Sequence, residues 1–114
     1  MANDSKLTTA ADAVERLVRD GDVIMLTAEM DAVPAALVRA VIRAGRQHLR
    51  VVGIPGNGLA GDMLIGAGAA VAAEVCHFSL GSFGPAPNFK RLAEAGRLKV
   101  TRSEERRVGK ECRL

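Results

Sequence analysis

The sequence has few of the residues that mark aromatic cores, disulfide frameworks and metal sites. It contains three Phe, no Trp and no Tyr, so aliphatic side chains and Ala must build the core. Two Cys and two His give neither a disulfide framework nor a ligand set at metal-binding spacing. No apolar run reaches the roughly 18 residues of a membrane span, and the polar N-terminus has no signal-peptide pattern. These absences favour a cytoplasmic protein that spans no membrane.

Charge is distributed unevenly along the chain. Residues 102–114 hold five of the 16 Lys and Arg and three of the 13 Asp and Glu, which leaves residues 1–101 with 11 basic and 10 acidic residues. This nearly neutral part shows no basic patch typical of nucleic-acid binding. The segment RSEERRVGKEC at 102–112 looks like a translated sequencing adapter, although a genuine basic tail is the alternative. We expect one domain over 1–101 and a non-native tail over 102–114.

Helical and strand patterns alternate along the chain. Continuous apolar runs predict four strands, at 23–26, 49–54, 71–78 and 98–100. Apolar residues at helical spacing, with capping residues before them and glycines after them, predict the helices. The first follows Thr9 and stops at Gly21, the second follows Asp31, a short weak one covers 62–66, and the last covers 88–95 with Asn88 as its cap. Helices between strands predict crossovers and a three-layer, parallel, Rossmann-like α/β sheet.

A glycine-rich loop follows the second predicted strand. The stretch from Gly56 to Gly61 fits the G-x-G-x-x-G pattern of dinucleotide-binding domains. Pro55 stiffens that turn, and Glu74 falls inside the third predicted strand, whereas the acidic partner of a dinucleotide should close it. We therefore prefer a loop that lines a ligand cleft, with NAD or FAD binding as the alternative.

Few other polar residues suggest chemistry. Glu29 comes directly after the first strand, at the edge where open α/β sheets bind ligands. Its carboxylate could hold a substrate group or act as a base, or it could be a solvated loop residue. The sequence predicts His48 at the surface, His77 in the core, and Asp20 and Asp22 as turn residues.

Three stretches carry a family resemblance. They are Asp20-Gly21-Asp22-Val23 followed by three apolar residues, the helix-strand passage ending in HLRVV at 48–52, and Asn88-Phe89-Lys90-Arg91 with EAGRLKV at 94–100. In this order they resemble the alpha subunit of the family I CoA-transferases over residues 7–101. In place of that family's Gly-Gly-Phe motif, the chain has Thr27-Ala28-Glu29. Added Cβ atoms there narrow the space that the glycines leave for a substrate.

The resemblance implies a function and its partners. The chain would be the N-terminal part of an alpha subunit, with a truncated CoA-transferase fold that has an exposed edge and an uncovered apolar face. The enzyme would move CoA from an acyl-CoA to a carboxylic acid through a glutamyl-CoA intermediate. The nucleophilic glutamate would come from a beta subunit in a hetero-oligomer, so this chain would hold no catalytic residue. Coenzyme A would be a substrate, with no other cofactor and no metal.

The resemblance also implies which residues contact substrate. Ser79 to Phe83 would add to one wall of the cleft. A dinucleotide-binding oxidoreductase domain and a repurposed, non-catalytic relative of the fold are the alternatives. The predicted substrate- and CoA-binding residues are Thr27, Ala28, Glu29, Gly53, Gly56, Asn57 and Gly58.

Overall fold

A computed structural model describes residues 6–26, 33–53, 57–75 and 78–101. The predicted cap Asp31 and the tail 102–114 lie outside these residues. The strands are all parallel and adjacent in chain order, β1-β2-β3-β4. This confirms the predicted parallel α/β sheet with flanking helices. The elements are α1 Ala10–Leu17, β1 Val23–Leu26, α2 Ala35–Arg43, β2 Leu49–Gly53, α3 Leu59–Gly66, β3 Ala70–Glu74, a 3₁₀ turn Gly81–Phe83, α4 Pro87–Glu94 and β4 Lys99–Thr101.

The helix ends match the local capping signals only in part. Thr9 caps α1 as predicted, because its hydroxyl accepts the Asp12 N–H at 3.1 Å. However, α1 ends at Leu17 and Gly21 lies in a separate turn, so the predicted stop at Gly21 was wrong. The third helix is longer than predicted and already begins at Leu59. In α4 the N-cap position is Ala86, so the prediction that Asn88 caps this helix was also wrong.

One C-terminal cap is repeated at the end of α2, α3 and α4. In each case an Ala-Gly pair follows the helix, with the glycine at a φ of +71° to +79°. The residue after that glycine donates its N–H five residues back, as in Arg46 N to Val41 O and Arg97 N to Leu92 O. This is the Schellman arrangement, which needs a left-handed residue at that position. The same cap turns each crossover back towards the next strand.

Side-chain alternation divides the sheet into two faces. Leu26, Val51 and Ala73 lie on one face and are buried against the helices. The helices contact one another in order, α1 with α2, α2 with α3 and α3 with α4, so they form one layer. Leu64 and Ile65 from α3 are fully buried at its centre. The core is therefore aliphatic, as the composition predicts.

The other face of the sheet is not covered by any of the described residues. Val23 and Met25 on β1 are 58% and 62% exposed. Of the three layers predicted from the sequence, the described residues build the sheet and one helix layer. Parallel sheets are normally buried on both faces, whereas the described residues cover only one face of this sheet.

His48 is in a strained backbone conformation before β2. Its φ is +60°, a positive value shared with no other non-glycine among the described residues. A side chain in the left-handed region costs about 1–2 kcal/mol. We expect His48→Gly to raise the free energy of unfolding by about 0.5–1 kcal/mol, since glycine's larger unfolded-state entropy offsets part of the relief. Chemical denaturation measures this, and Gln47→Gly, at a neighbour without positive φ, should lower the stability instead.

Candidate functional site

The carboxyl ends of the parallel strands lie along one edge of the sheet. β1, β2 and β3 end there at Leu26, Gly53 and Glu74. Ligands of open α/β sheets bind outside this carboxyl edge. Of the predicted contact residues, the structure places Gly53, Asn57 and Gly58 here. The others, Thr27, Ala28, Glu29 and Gly56, lie outside the described residues.

Asn57 is a buried polar residue at this edge. Its side-chain oxygen accepts the N–H groups of Gly58 at 2.8 Å and Gly61 at 3.2 Å, which closes the first turn of α3. Its backbone pairs with Phe78, and its carbonyl accepts the Ser79 N–H at 2.9 Å. The Asn57 side chain is fully buried, and its Nδ2 has no hydrogen-bond partner among the described residues. Asn57 therefore joins the loops after β2 and β3, and neither N–H of its Nδ2 has an acceptor among the described residues.

Gly61 allows α3 to pack closely against this junction. A Cβ at Gly61 would lie 2.7 Å from Cζ of Phe78 and 2.8 Å from Cγ of Asn57. The third glycine of the G-x-G-x-x-G pattern is thus required by packing inside the chain. The parallel ladder also resumes beyond Glu74, at the Asn57–Phe78 pair. β3 itself ends at Glu74, so the prediction of a strand to residue 78 with Glu74 inside it was wrong.

Asp62 connects α3 to the start of α4. Its carboxylate accepts the N–H of Phe89 at 2.7 Å and that of Asn88 at 3.3 Å, and Asn88 Nδ2 donates to the Asp62 carbonyl at 3.4 Å. Asp62 is only 5% exposed. It accepts two of the N–H groups that this helix start leaves free, while Pro87 at the first position has none. Sequence reasoning missed this role, because the cap and the capped helix are 26 residues apart.

An aromatic stack continues from this cap to the carboxyl edge. The rings of Phe78 and Phe89 are stacked with centroids 4.4 Å apart and an interplanar angle of 22°. Such a pair contributes about 0.5–1.5 kcal/mol beyond the area that it buries. Asp62 accepts the Phe89 N–H, and Phe78 pairs with Asn57. The stack therefore links α4 to the loops that follow β2 and β3.

The loop after β3 is held by its own hydrogen bonds. Ser79 pairs with Pro85, Leu80 N donates to Gly84 O at 2.8 Å, and the Ser79 hydroxyl accepts the Gly81 N–H at 3.0 Å. At its tip Phe83 is 77% exposed. The predicted wall residues Ser79 to Phe83 thus form an ordered turn that presents an apolar ring at the carboxyl edge.

The remaining polar candidates lie away from this edge or outside the described residues. Asp20 accepts the Gln47 N–H at 2.9 Å and Asp22 accepts the Arg19 N–H at 2.8 Å, as expected for turn residues. His48 is exposed in the turn before β2, as predicted, and His77 lies outside the described residues. In the described part of the chain, no three His, Cys, Asp or Glu side chains cluster as metal ligands. Nor does any helix there have the length and apolarity to cross a membrane.

Comparison with known proteins identifies relatives that share one fold. No family model matches the chain. Over 66 residues, 58% of this chain, it is 39% identical to the A subunit of 3-oxoadipate CoA-transferase from Pseudomonas knackmussii, of which it covers 23%. The crystal structure of glutaconate coenzyme A-transferase from Acidaminococcus fermentans matches with a TM-score of 0.78 and 31% identity, over 87% of this chain and 32% of that one.

A decarboxylase shares the same fold. A variant of the decarboxylase AibA/AibB matches with a TM-score of 0.76 and 25% identity, over 89% of this chain and 39% of that one. The chain therefore spans well under half the length of the relatives that it matches. The match includes proteins of two reaction types on the same scaffold.

Proposed function

Because this chain belongs with the family I CoA-transferases, as an alpha-subunit-like stretch of them, we propose that it forms one wall of a CoA-transferase active site. The reaction would move CoA from an acyl-CoA to a carboxylic acid. The observation that carries the proposal is the 39% identity to the A subunit of a 3-oxoadipate CoA-transferase. The ordered carboxyl edge, with Asn57 and the Phe83 loop, supports it as the substrate-facing side.

The proposed mechanism uses a nucleophile from another chain. A glutamate carboxylate of the beta subunit attacks the thioester carbonyl and expels CoA thiolate, which leaves an acyl-glutamyl anhydride. The thiolate then attacks the glutamyl carbonyl, which releases the first acid and leaves a glutamyl-CoA thioester. The acceptor carboxylate repeats these two steps in reverse, and so one difficult exchange becomes several easier ones. No cofactor is consumed, since coenzyme A is itself the group transferred.

This chain would bind and position the substrates. Preorganised backbone N–H donors at a loop stabilise the oxyanion of each tetrahedral intermediate. Of the predicted contact residues, Gly53 ends β2, and Asn57 and Gly58 precede α3. In the sequence, Thr27 to Glu29 follow β1 and Gly56 follows β2. We propose that they contact CoA or the acyl group at the carboxyl edge, with the beta subunit opposite in a cytoplasmic hetero-oligomer.

The proposal is tested by reconstitution with the beta subunit of the matched 3-oxoadipate CoA-transferase. An acyl-CoA and an acceptor acid are added, and acyl-CoA products are separated by chromatography. We expect transfer only with both chains present, and a CoA adduct found by mass spectrometry on a glutamate of the beta subunit. Glu29→Gln should retain that adduct, because Glu29 is not the proposed nucleophile.

Two outcomes would contradict the proposal. An adduct on a carboxylate of this chain would place the nucleophile here. Saturable calorimetric binding of NAD without binding of acyl-CoA would instead support the dinucleotide alternative.

One comparison favours a second candidate, a repurposed member of this fold. The AibA/AibB protein is a decarboxylase whose fold matches 89% of this chain. Thr27-Ala28-Glu29 also departs from the family's Gly-Gly-Phe. In the same reconstituted mixture, release of carbon dioxide from a carboxyacyl-CoA without transfer to an acceptor acid would support this candidate over the transferase.

A further inference from the structure

Asp62 is a buried carboxylate that the proposed reaction does not use. It is 5% exposed and has no ion pair within the described ranges. It lies in the first turn of α3, and its carboxylate also accepts two N–H groups at the start of α4. Its negative charge therefore lies at two helix N-termini at once, where both helix dipoles favour it. Such a side chain fixes one helix start relative to the other.

The start of α4 packs tightly against α3. A Cβ at Gly66 would overlap the side-chain amide of Asn88. The same amide donates from Nδ2 to the Asp62 carbonyl at 3.4 Å. Little empty space is left between the two helices to absorb a shift of α4.

The contacts around Asp62 form a closed ring that includes Asn57. From Asp62 the ring passes through the N–H of Phe89 at 2.7 Å to the Phe89 side chain, which stacks on Phe78. Phe78 pairs with Asn57 in a parallel bridge. Asn57 Oδ1 then accepts the N–H of Gly61, the residue before Asp62, at 3.2 Å. A break at any contact in this ring therefore loosens the hold on Asn57.

The ring gives Asp62 a role at the substrate-facing edge without contact with the substrate. We propose that Asp62 is a positioning residue of the transferase, which holds Asn57 in place through Phe89 and Phe78. The inference rests on the proposed function, in which Asn57 contacts CoA or the acyl group. Supporting contacts of this kind matter because a misplacement of about 1 Å can cost an enzyme much of its activity.

A role in stability alone predicts a different kinetic result. If Asp62 only stabilises α4, its loss lowers the amount of folded enzyme, which lowers kcat and leaves KM unchanged. If Asp62 positions Asn57, the folded enzyme binds acyl-CoA less tightly, so KM rises while kcat changes little. The two roles therefore differ in which kinetic parameter changes.

Steady-state kinetics test the proposal on the whole chain paired with the beta subunit of the matched 3-oxoadipate CoA-transferase. Asp62→Asn keeps the size of the side chain but turns an amide towards the Asn88 N–H. We expect it to raise KM for acyl-CoA about tenfold, with kcat within about twofold of the wild type. Phe89→Leu keeps the cap and breaks the stack, so it should raise KM similarly.

Two further variants identify the cause of the change in KM. The double variant Asp62→Asn, Phe89→Leu should raise KM no further than either single change, because both open the same ring. Thr9→Ala removes the cap of α1, which also lowers stability but lies outside the ring. It should leave KM at the wild-type value.

Hydrogen exchange of the whole chain tests the same connection without catalysis. Asn57 Oδ1 accepts the N–H groups of Gly58 and Gly61, so a loosened Asn57 exposes both to solvent. In Asp62→Asn we expect both to exchange about tenfold faster, relative to the Ala44 N–H at the end of α2. Circular dichroism verifies that the variants are folded.

Several results would overturn the proposal. One is a wild-type KM in folded Asp62→Asn. Another is exchange at Gly58 and Gly61 that accelerates no more than exchange at Ala44. A third is a double variant whose KM rises by the product of the two single effects. Absence of transfer by the wild-type pair would instead contradict the proposed function, while the exchange rates would still decide whether Asp62 holds Asn57.

Discussion

Asp62→Ala is expected to lower the free energy of unfolding by about 2–3 kcal/mol. The substitution removes the carboxylate that accepts the N–H groups of Phe89 and Asn88. Leaving donors of a half-buried helix start without an acceptor costs about 1–3 kcal/mol, and more when the lost bond is charge-assisted. The start of α4 should also fray, which would loosen the stack of Phe89 on Phe78. Urea denaturation of the full chain measures the loss.

Two matched variants distinguish the loss of the hydrogen bonds that Asp62 accepts from the general effect of removing an acidic residue near a helix start. Asp62→Asn keeps one acceptor oxygen for Phe89 but turns an amide towards the Asn88 N–H, so we expect an intermediate loss. Asp12→Ala removes an exposed acid from the first turn of α1 and should cost no more than about 1 kcal/mol. If Asp62→Ala unfolded at the same urea concentration as the wild type, the cap would contribute nothing.

Gly61→Ala is expected to destabilise the protein by about 1–3 kcal/mol, although alanine is the better helix former. Helix propensity alone predicts a gain of about 1 kcal/mol for Gly→Ala within α3. The added Cβ, however, would meet Phe78 at 2.7 Å and Asn57 at 2.8 Å, both within the interior. Overpacking of this kind costs typically about 1–3 kcal/mol. The sign of the change in urea midpoint therefore decides which effect dominates.

A double variant shows whether the steric contact is the cause. Phe78→Leu shortens the side chain that the new Cβ would meet. On its own it should destabilise, because it removes the aromatic stack. Combined with Gly61→Ala, it should cost less than the sum of the two single changes, since residues in contact are not additive. Strict additivity would show that the clash is not the source of the loss.

The sequence was most informative where the determinants are local. The Thr9 cap lies three residues from the N–H that it accepts, so a single turn of chain contains the whole signal. The strands at 23–26 and around 49–53 were predicted because continuous apolar runs typify parallel strands. The parallel arrangement followed from helices placed between them.

The sequence failed where distant residues decide the local structure. Asn88 is a good capping residue by type, yet Asp62 from another helix takes that role and shifts the start of α4 to Pro87. Similarly, Gly66 and Gly68 argued for a weak third helix. The helix α3 nevertheless begins at Leu59. Tertiary packing stabilises it, because Leu64 and Ile65 are fully buried. Propensity is a weak guide wherever burial of an apolar face outweighs it.

The candidate site was predicted by location and not by detailed role. Gly53, Asn57 and Gly58 were predicted from the family resemblance, together with the glycine-rich loop after the second strand. The same sequence could not show that Asn57 would hold the first turn of α3 through one end of its amide. Such a role depends on how the loop after β2 meets Phe78, which comes from the next strand.

The strand order has a consequence for how this chain acquires its structure. Each strand pairs with the strand immediately before it in sequence, so every long-range step closes a loop of only one helix and its connections. Short loops cost less entropy to close, and topologies with such contacts fold faster than those that join distant segments. During synthesis, each newly emerged helix-strand pair can therefore dock onto a finished edge. The sheet would grow from β1 towards β4 in the order of translation.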